Sequence, residues 1–355
     1  MGVRTRSGQL VPVHHGLVDT PARPDGRIPT LVTVDDVRTA AARLRGQVVR
    51  TPLLPCAWAD SARPLWLKPE NLQPTGAFKM RGALNAVGVL SAAERGRGVI
   101  THSSGNHGRA LAWAARSHGI PVVVVMPDTS PAIKVEGTRA LGAEIVMVRS
   151  SDRETRTAGL AADRGLVVIP PFDHPDIIAG QGTVGLEIVQ DLPAVDTVLA
   201  PVGGGGLISG VAIAVKAISP RTRVVAVEPE LAGDLAEGFR RGERVVWDPA
   251  LTGRTVADGV RLPAVGELTW QHITRLVDDV VTVSEQSILD AMAVLARSSR
   301  LVAEPSGALA VAAYLERPEA ATGRTVAVVS GGNVDPQLLA QALTAPGAHT
   351  ARQYS

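Results

Sequence analysis

Residues 74–85 read PTGAFKMRGALN and place one lysine, Lys79, between apolar neighbours just after a proline–glycine turn. The spacing of the apolar residues that follow predicts a helix that begins near this lysine. An amine in such surroundings loses solvation, and its pKa falls toward the range in which it attacks a carbonyl carbon. Lys79 is therefore a candidate for a covalent link to an aldehyde. The alternative is an ordinary lysine whose stem covers apolar surface while its charge reaches water.

Three polar loops each follow a predicted strand. Residues 102–108 read HSSGNHG, residues 201–207 read PVGGGGL, and Ser330 follows the apolar run at 326–329. A loop between a strand and a helix exposes unpaired backbone N–H groups, which bind anions. Four glycines also let the backbone close around a phosphate without Cβ clashes. A reactive lysine combined with a phosphate cradle suits pyridoxal phosphate.

Each of these loops also fits a simpler structural role. A glycine run after a strand often forms only a tight turn, and Ser330 also fits as a cap for a helix after Asp335. A Rossmann dinucleotide site is a further alternative, with Glu228 at the end of a strand as the ribose ligand. Residues 203–210, however, do not form a clean G-x-G-x-x-G motif. A dinucleotide site would also leave Lys79 and the Asn106 loop unexplained.

Strands rich in valine and isoleucine alternate with helical patterns along most of the chain. This alternation predicts an α/β protein whose parallel sheets are covered by helices on both faces. Thr33 is expected to cap a first helix that runs through Arg45. A second series of alternating elements begins near Gln181, with a helix predicted over 183–190.

In this order, the four segments resemble the fold-type II pyridoxal-phosphate enzymes, specifically the threonine/serine dehydratase and serine racemase branch. The resemblance runs from about Val32 to Leu339, and GQGT at 180–183 and ADGV at 257–260 also look like this branch. It implies a two-lobed fold like that of the tryptophan synthase β subunit, with the cofactor in the cleft. The implied division is a tail at 1–30, a large cofactor-binding domain at 31–96 and 171–345, a small domain at 97–170, and a tail at 346–355.

The resemblance also implies a role for each site residue. Lys79 would anchor the cofactor and act as the base, with Phe78 beside the cofactor. The remaining cofactor contacts would be the phosphate cradle of Gly203, Gly204, Gly205 and Gly206, Asn106 at the ring hydroxyl, and Ser330 at the ring nitrogen. The carboxylate of an amino acid substrate is expected on Ser103, Ser104, Asn106 and His107.

A serine at the ring nitrogen has consequences for the reaction. A hydroxyl cannot stabilise a protonated ring as a carboxylate would, so the site favours rapid loss of a β-substituent. The sequence therefore predicts an ammonia-lyase that converts L-threonine, L-serine or a related β-hydroxy amino acid to a 2-oxo acid and ammonia, with Lys79 as the base.

Two positions point to different members of this branch. Ser104 aligns with the serine that serves the opposite face of the α carbon in serine racemases. Phe172 stands where mammalian-type racemases have asparagine and dehydratases often have an aromatic residue. A serine or aspartate racemase thus stays an alternative, as does a specialised hydroxyaspartate dehydratase or aldolase of secondary metabolism. The intact set of site residues disfavours a non-catalytic pyridoxal-phosphate- or nucleotide-binding protein.

Residues 228–234 read EPELAGD and form a candidate site for a divalent cation. Hard cations prefer oxygen ligands. The resemblance implies a Mg²⁺ or Ca²⁺ site made by the carboxylates of Glu228 and Asp234 and the backbone carbonyl of Ala232. The alternative is an acidic loop that is simply solvated.

The composition narrows the remaining possibilities. The chain has 355 residues, a net charge of only +2, four lysines and one cysteine, Cys56. No basic patch interleaved with aromatic residues indicates nucleic acid, and no apolar stretch is long enough to indicate a membrane span. A single cysteine excludes a disulfide within the chain and fits a reducing cytoplasm. The resemblance implies a homodimer.

Overall fold

A computed structural model describes residues 3–4, 10–11 and 31–344 of the protein. The first two segments are short strands that pair antiparallel with each other. The predictions for the tails at 1–30 and 346–355 otherwise lie outside the described residues. Residues 31–344 belong to one compact unit.

Twelve strands are present in the described residues. They are β1 (Val3–Arg4), β2 (Leu10–Val11), β3 (Leu54–Pro55), β4 (Leu65–Pro69), β5 (Val99–His102), β6 (Val122–Pro127), β7 (Glu144–Val148), β8 (Val167–Val168), β9 (Thr197–Pro201), β10 (Arg223–Pro229), β11 (Asp279–Val283) and β12 (Thr325–Val329).

Fourteen α-helices occur in the same part of the chain. They are α1 (Val34–Leu44), α2 (Lys79–Gly88), α3 (Ala92–Arg97), α4 (Asn106–Ser117), α5 (Ala132–Arg139), α6 (Arg153–Arg164), α7 (Pro175–Asp191), α8 (Gly206–Ile218), α9 (Asp234–Arg241), α10 (Pro249–Thr252), α11 (Glu267–Leu276), α12 (Glu285–Val294), α13 (Pro305–Glu316) and α14 (Pro336–Thr344).

The strands after β2 form two sheets. The larger has the order β11-β10-β9-β12-β4-β3, and the smaller has the order β7-β6-β5-β8. All neighbours in both sheets are parallel except β3 and β4. Helices cover these sheets, as apolar strands such as β6 and β12, buried along their whole length, require. The predicted α/β fold class is confirmed.

The helix predicted over 183–190 begins earlier than the sequence indicates. Helix α7 starts at Pro175, and His174 Nδ1 accepts a hydrogen bond from the Asp176 N–H at its first turn. Proline at the first helical position is favourable because its missing N–H would have no partner there. The prediction that Thr33 caps the first helix is confirmed, since its Oγ1 accepts from the Asp36 N–H at 3.3 Å.

The hydrophobic core is divided by the larger sheet. One face packs against α12 and α13, with buried residues such as Met292 and Leu309. The other face packs against α8 and α11, with residues such as Ile208 and Ile273. A third cluster joins α2 and α4 to the smaller sheet. Helix α2 is therefore enclosed, and every residue from Met80 to Val87 is buried.

A cluster of four buried charges holds the start of α2. The Arg81 guanidinium donates to Glu70 Oε2 at 2.7 Å and to Glu187 Oε1 at 2.7 Å, and Lys68 Nζ donates to Glu187 Oε2 at 2.6 Å. Two positive and two negative groups balance one another. Burial alone would raise the pKa of Glu70, but Arg81 beside it lowers that pKa below its ordinary value.

This cluster joins three parts of the chain that are distant in sequence. Lys68 and Glu70 lie at the end of β4 and just after it, Arg81 lies in the first turn of α2, and Glu187 lies in α7. A buried charge left without its partner is costly, so these elements stay in register with one another. Because Arg81 follows Lys79 by two residues, the cluster also fixes where the Lys79 backbone lies.

We expect the Arg81→Met substitution to lower the free energy of unfolding by about 3–5 kcal/mol, because it leaves the buried Glu70 without its ion-pair partner and leaves Glu187 with Lys68 alone. Denaturant unfolding measures the change. The control is Arg164→Met, which removes an exposed ion pair with Glu144 and should cost less than about 1 kcal/mol. Equal losses in both variants would show that the buried cluster is no more important than a surface pair.

Candidate active site

The predicted site segments meet at the carboxyl end of the larger sheet. Strands β9 and β12 are neighbours there, so the glycine loop after β9 and Ser330 after β12 emerge side by side. The Lys79 peptide joins them, because the Phe78 N–H donates to the Ser330 carbonyl at 3.0 Å and Ala77 pairs with Gly331. Ligands commonly bind at such an edge of a parallel sheet.

Lys79 has the environment that the sequence predicts. Its side chain is largely enclosed, and Nζ donates to the Pro171 carbonyl at 2.6 Å and lies 5.1 Å from the centre of the Phe78 ring. Within the described residues no carboxylate forms an ion pair with this amine. Burial therefore lowers the pKa of Lys79 to about 8. About a tenth of the amine is then unprotonated, and hence nucleophilic, at pH 7, and about half at pH 8.

The glycine loop forms an uncapped helix start. Helix α8 begins at Gly206, and its cap residue, Gly205, has a φ of +90° and no side chain that accepts from the first turn. A Cβ on Gly204 would overlap the Phe172 ring, so any side chain at this position requires Phe172 to move. Thr269 stabilises the loop, because its hydroxyl donates to the Gly204 carbonyl at 2.8 Å. Its free N–H groups make it suited to an anion such as phosphate.

The second polar loop leads into α4, which begins at Asn106. Ser103 and Ser104 are half-buried, and the Ser103 hydroxyl accepts from the Gly105 N–H at 3.3 Å. The Asn106 side chain donates to Glu304 Oε1 at 2.6 Å and accepts from Asn333 Nδ2 at 2.7 Å. This loop is thereby connected to the residues around Ser330.

The His107 side chain points into the protein. Nε2 lies 3.0 Å from the Ile169 carbonyl, and burial, together with the Lys79 charge, lowers the pKa of His107 to about 3. The imidazole ring is neutral and packs beneath the loop. The His107 group that can bind a ligand is its backbone N–H, in the first turn of α4.

Ser330 is buried at the end of β12. Its hydroxyl donates to the Ser306 carbonyl at 3.4 Å, a long hydrogen bond that a better acceptor can replace. The alternative that Ser330 caps the following helix is wrong. Asp335 has that role, since its Oδ1 accepts from the Gln337 N–H at 2.7 Å.

Glu304 belongs to none of the sequence motifs, and Asn333, the last residue of the run SGGN at 330–333, has no predicted role. Glu304 is buried just before α13, and burial, with a contribution from Asp258, raises its pKa to about 7. A glutamate before a proline at a helix start looks like a cap in sequence, and Asn333 looks like a turn residue. Only the contacts of both with Asn106 reveal their position.

The acidic residues at 228 and 234 are buried, not solvated. Glu228 accepts from the N–H groups of Leu235 and Ala236 at 3.2 and 2.8 Å, whereas Asp234 Oδ2 is buried without a hydrogen-bond partner. Burial and the neighbouring Asp234 raise the pKa of Glu228, and burial raises that of Asp234 to about 7. Within the described residues no group of three or more His, Cys, Asp or Glu side chains forms a metal site.

The fold and the site define an α/β enzyme with a desolvated lysine beside a phosphate-type glycine loop. The family model described as "Pyridoxal-phosphate dependent enzyme" matches residues 44–331, and the chain belongs to this family. The predicted fold-type II membership, in the threonine/serine dehydratase and serine racemase branch, is confirmed. Among the described residues, no helix combines the length and apolar character needed to cross a bilayer.

Individual relatives cover most of this chain. It is 40% identical over 315 residues to an L-threonine ammonia-lyase of Thermotoga maritima, covering 87% of this chain and 77% of that protein. It is 41% identical over 308 residues to an L-threo-3-hydroxyaspartate ammonia-lyase of Saccharomyces cerevisiae, covering 85% and 94%. The crystal structure of serine racemase from Dictyostelium discoideum superimposes with a TM-score of 0.81 at 36% identity, covering 86% and 99%.

The residues present fit pyridoxal phosphate. Lys79 offers an amine whose pKa is lowered to about 8, and the glycine loop offers unpaired N–H groups at the start of a 13-residue helix. The ring of Phe172 occupies the space that a side chain on Gly204 would need. The geometry thus explains why glycine is needed within this loop.

Gly204→Ala should weaken the binding of pyridoxal phosphate by about tenfold or more, because the added methyl displaces Phe172 and narrows the loop. Titration of the apoprotein, followed by cofactor absorbance, measures the dissociation constant. The control is Gly159→Ala in α6, where a Cβ meets nothing within 4 Å and binding should be unchanged. An unaltered dissociation constant in Gly204→Ala would show that the loop does not hold the phosphate.

Proposed function

We propose that the protein is a pyridoxal-phosphate-dependent ammonia-lyase that acts on a β-hydroxy amino acid, with L-threonine and L-serine as the first candidates. The observation that carries the proposal is that the peptide of the desolvated Lys79 is joined to Ser330, whose carbonyl accepts from the Phe78 N–H at 3.0 Å. Two relatives, the ammonia-lyases of Thermotoga maritima and Saccharomyces cerevisiae, support it through their reaction type. Their substrates differ, so a hydroxyaspartate is also included.

In this proposal the residues of the site share the binding of the cofactor. Bound pyridoxal phosphate supplies an aldehyde that captures the substrate amine and withdraws electrons from the α carbon. The N–H groups of Gly203, Gly204, Gly205 and Gly206 hold its phosphate. Asn106 holds the ring hydroxyl, Ser330 the ring nitrogen, and Phe78 packs beside the lysine.

Lys79 also moves the proton. Once its Nζ is free, the amine accepts the proton from the α carbon, because a pKa lowered to about 8 makes its unprotonated fraction much larger than that of an ordinary lysine. The substrate carboxylate binds the hydroxyls of Ser103 and Ser104 and the backbone N–H groups at the start of α4, including those of Asn106 and His107. The β-hydroxyl then leaves as water, and the enamine that is released tautomerises to an imine, which water hydrolyses to the 2-oxo acid and ammonia.

A racemase is the second candidate function. Ser104 lies in the substrate loop and is half-buried, and its hydroxyl contacts no hydrogen-bond partner among the described residues. A hydroxyl on the face of the α carbon opposite Lys79 would return a proton with inverted stereochemistry. The similarity to the serine racemase of Dictyostelium discoideum supports this candidate.

We also propose that residues 97–170 form a small lobe and that residues 31–96 and 171–345 form the large one. The smaller sheet, whose strands all lie between Val99 and Val168, supports this division. The Lys134–Asp258 ion pair, at 2.7 Å, would join the two lobes near the site. The active site then lies where the Asn106 loop of one lobe faces Lys79 and Ser330 of the other.

The proposed enzyme is a cytoplasmic homodimer. The cytoplasmic location is supported by the presence of a single cysteine, Cys56. Burial raises the pKa of its thiol to about 12, so the thiol stays protonated. The dimer is supported by two exposed apolar side chains, Leu72 and Val302, that line the same cavity beside the Gly76 turn. Sedimentation of the purified protein tests the oligomeric state.

We further propose a Mg²⁺ or Ca²⁺ ion between Glu228, Asp234 and the Ala232 carbonyl. The unpartnered Asp234 Oδ2 and the mutual repulsion of two buried carboxylates support it. A divalent cation would compensate both charges and satisfy the free oxygen. Its role would be structural, because it would hold the start of α9.

The purified holoenzyme should release ammonia and a 2-oxo acid from at least one of L-threonine, L-serine and L-threo-3-hydroxyaspartate. A coupled dehydrogenase assay measures the 2-oxo acid. The Lys79→Ala variant should be slower by a factor of roughly 10²–10⁴ or more, because the base is removed. The matched control is Lys216→Ala, which removes an ion pair with Asp278 and should keep the rate. The substrate assignment is wrong if only amino acids without a β-hydroxyl react.

Ser104→Ala should separate the two candidate functions. If Ser104 is the second acid/base, its loss should reduce racemisation by roughly 10²–10⁴-fold while elimination continues. Chiral chromatography of the remaining serine and the 2-oxo acid assay measure both rates. We expect elimination to dominate in the unaltered protein. Equal loss of both activities would assign Ser104 to carboxylate binding.

Mg²⁺ or Ca²⁺ should raise the melting temperature, and EDTA should lower it. An ion present at one hundred times its dissociation constant stabilises the folded state by about 2.7 kcal/mol. The Asp234→Asn variant, which keeps the shape of the side chain, should lose this response. Identical melting curves with EDTA and with either cation would exclude the site.

A further inference from the structure

Four polar side chains form a continuous chain of hydrogen bonds that runs from Arg109 to Glu304. Arg109 Nη1 donates to Asn333 Oδ1 at 3.2 Å, Asn333 Nδ2 donates to Asn106 Oδ1 at 2.7 Å, and Asn106 Nδ2 donates to Glu304 Oε1 at 2.6 Å. Asn333 Nδ2 also donates to the Thr75 carbonyl at 2.9 Å.

The direction of this chain is fixed by its chemistry. A guanidinium has only donors, so the Asn333 atom that faces Arg109 must be the oxygen. A backbone carbonyl only accepts, so the Asn333 atom that faces Thr75 must be the nitrogen. Both neighbours require the same orientation of the Asn333 amide. Asn333 therefore presents a donor to Asn106, which must turn its oxygen toward Asn333.

The orientation of Asn106 follows from that of Asn333. Its amide nitrogen is directed to Glu304, which is buried and accepts one of the two amide hydrogens. The same nitrogen lies 3.2 Å from the position of a Cβ on Gly331, the residue after Ser330. Among the described residues the second amide hydrogen has no acceptor, so it is available to a ligand.

We propose that Asn333, supported by Arg109 and Glu304, is a positioning residue that makes Asn106 present an N–H, and not its carbonyl oxygen, to the ring hydroxyl of the cofactor. The proposal rests on the proposed function, in which Asn106 binds that hydroxyl. A donor at this position stabilises the ionised hydroxyl, whereas an acceptor would oppose ionisation.

Asn333 also contacts the turn that precedes Lys79. Gly76 has a φ of +77°, and a Cβ on it would overlap the Asn333 amide. The Gly332 N–H donates to the Gly76 carbonyl at 2.9 Å. One side chain therefore holds the orientation of Asn106 and packs against the turn of the lysine peptide, so the two cofactor contacts keep a fixed relation.

The test is Asn333→Asp, which keeps the shape of the side chain and replaces its donor by an acceptor. The new carboxylate would repel the Asn106 oxygen and favour a flipped amide. We expect the dissociation constant of pyridoxal phosphate to rise about tenfold. We also expect the absorbance band of the bound cofactor to shift toward the form with a neutral hydroxyl. The matched control is Asn71→Asp. Asn71 lines the same cavity as Asn333, but its side chain donates to the Val302 carbonyl and does not contact Asn106. This substitution should change neither the dissociation constant nor the absorbance band.

A double-mutant cycle with Asn106→Ala shows whether the effect passes through Asn106. Added to Asn106→Ala, the Asn333→Asp change should produce no further weakening and no further spectral shift. A tenfold effect that persists without the Asn106 amide would overturn the proposal, as would an Asn333→Asp holoenzyme identical to the unaltered one. If Asn333→Asp does not fold, Asn333→Ala serves in the same cycle, with a smaller effect in the same direction.

The outcome also separates this proposal from the proposed function. If Asn106→Ala alone changes neither the dissociation constant nor the spectrum, Asn106 does not bind the ring hydroxyl, and the site assignment itself is wrong. If Asn106→Ala weakens binding but neither Asn333 variant does, the site assignment stands and the positioning role is excluded.

Discussion

Arg81 lies between two buried carboxylates, Glu70 and Glu187, and the position of the active-site helix depends on this contact. Each of the three charges would be costly to bury alone, so the end of β4, the start of α2 and the middle of α7 fold against one another together. Lys79 occupies the first position of the same helix. The buried ion pairs of Arg81 thus fix the position of Lys79. The Lys79 amine itself has no ionic partner in the described residues. Two residues apart, Arg81 is paired with carboxylates and has a structural role, whereas Lys79 is unpaired within this part of the chain and can react.

The site is assembled by the order of strands in the larger sheet. Because β9 and β12 are neighbours, loops that are distant in the chain emerge at one edge. The glycine loop contributes unpaired N–H groups, Ser330 contributes a hydroxyl, and Phe78 is tied to the Ser330 carbonyl. Asn106 reaches this edge from the smaller sheet and is fixed by Glu304 and Asn333. The arrangement provides an amine without an ionic partner in the described residues, an anion cradle and a directed amide at one edge of the sheet.

Much of this can be predicted from the sequence because the decisive features are local. A lysine after a proline–glycine turn, four successive glycines after a strand, and alternating apolar strands and helices each indicate their own structure. The sequence pattern places the start of α7 too late, since glycines at 180 and 182 within a helix look like a boundary. The charge cluster and the contacts of Glu304 and Asn333 cannot be predicted in this way. They depend on pairs that are far apart in the chain, such as Arg81 with Glu187 and Asn106 with Asn333, and no local pattern reveals such pairs.

Covalent binding of the cofactor by Lys79 is the central claim. Borohydride reduction of the holoenzyme, followed by digestion and mass spectrometry of the peptides, tests it directly because the chain has only four lysines. We predict that the reduced cofactor is found on Lys79 alone. Lys68 is buried in an ion pair with Glu187, and Lys134 and Lys216 are paired with Asp258 and Asp278. Label on any of these three lysines, or an unlabelled Lys79 in protein that contains bound cofactor, would contradict this claim.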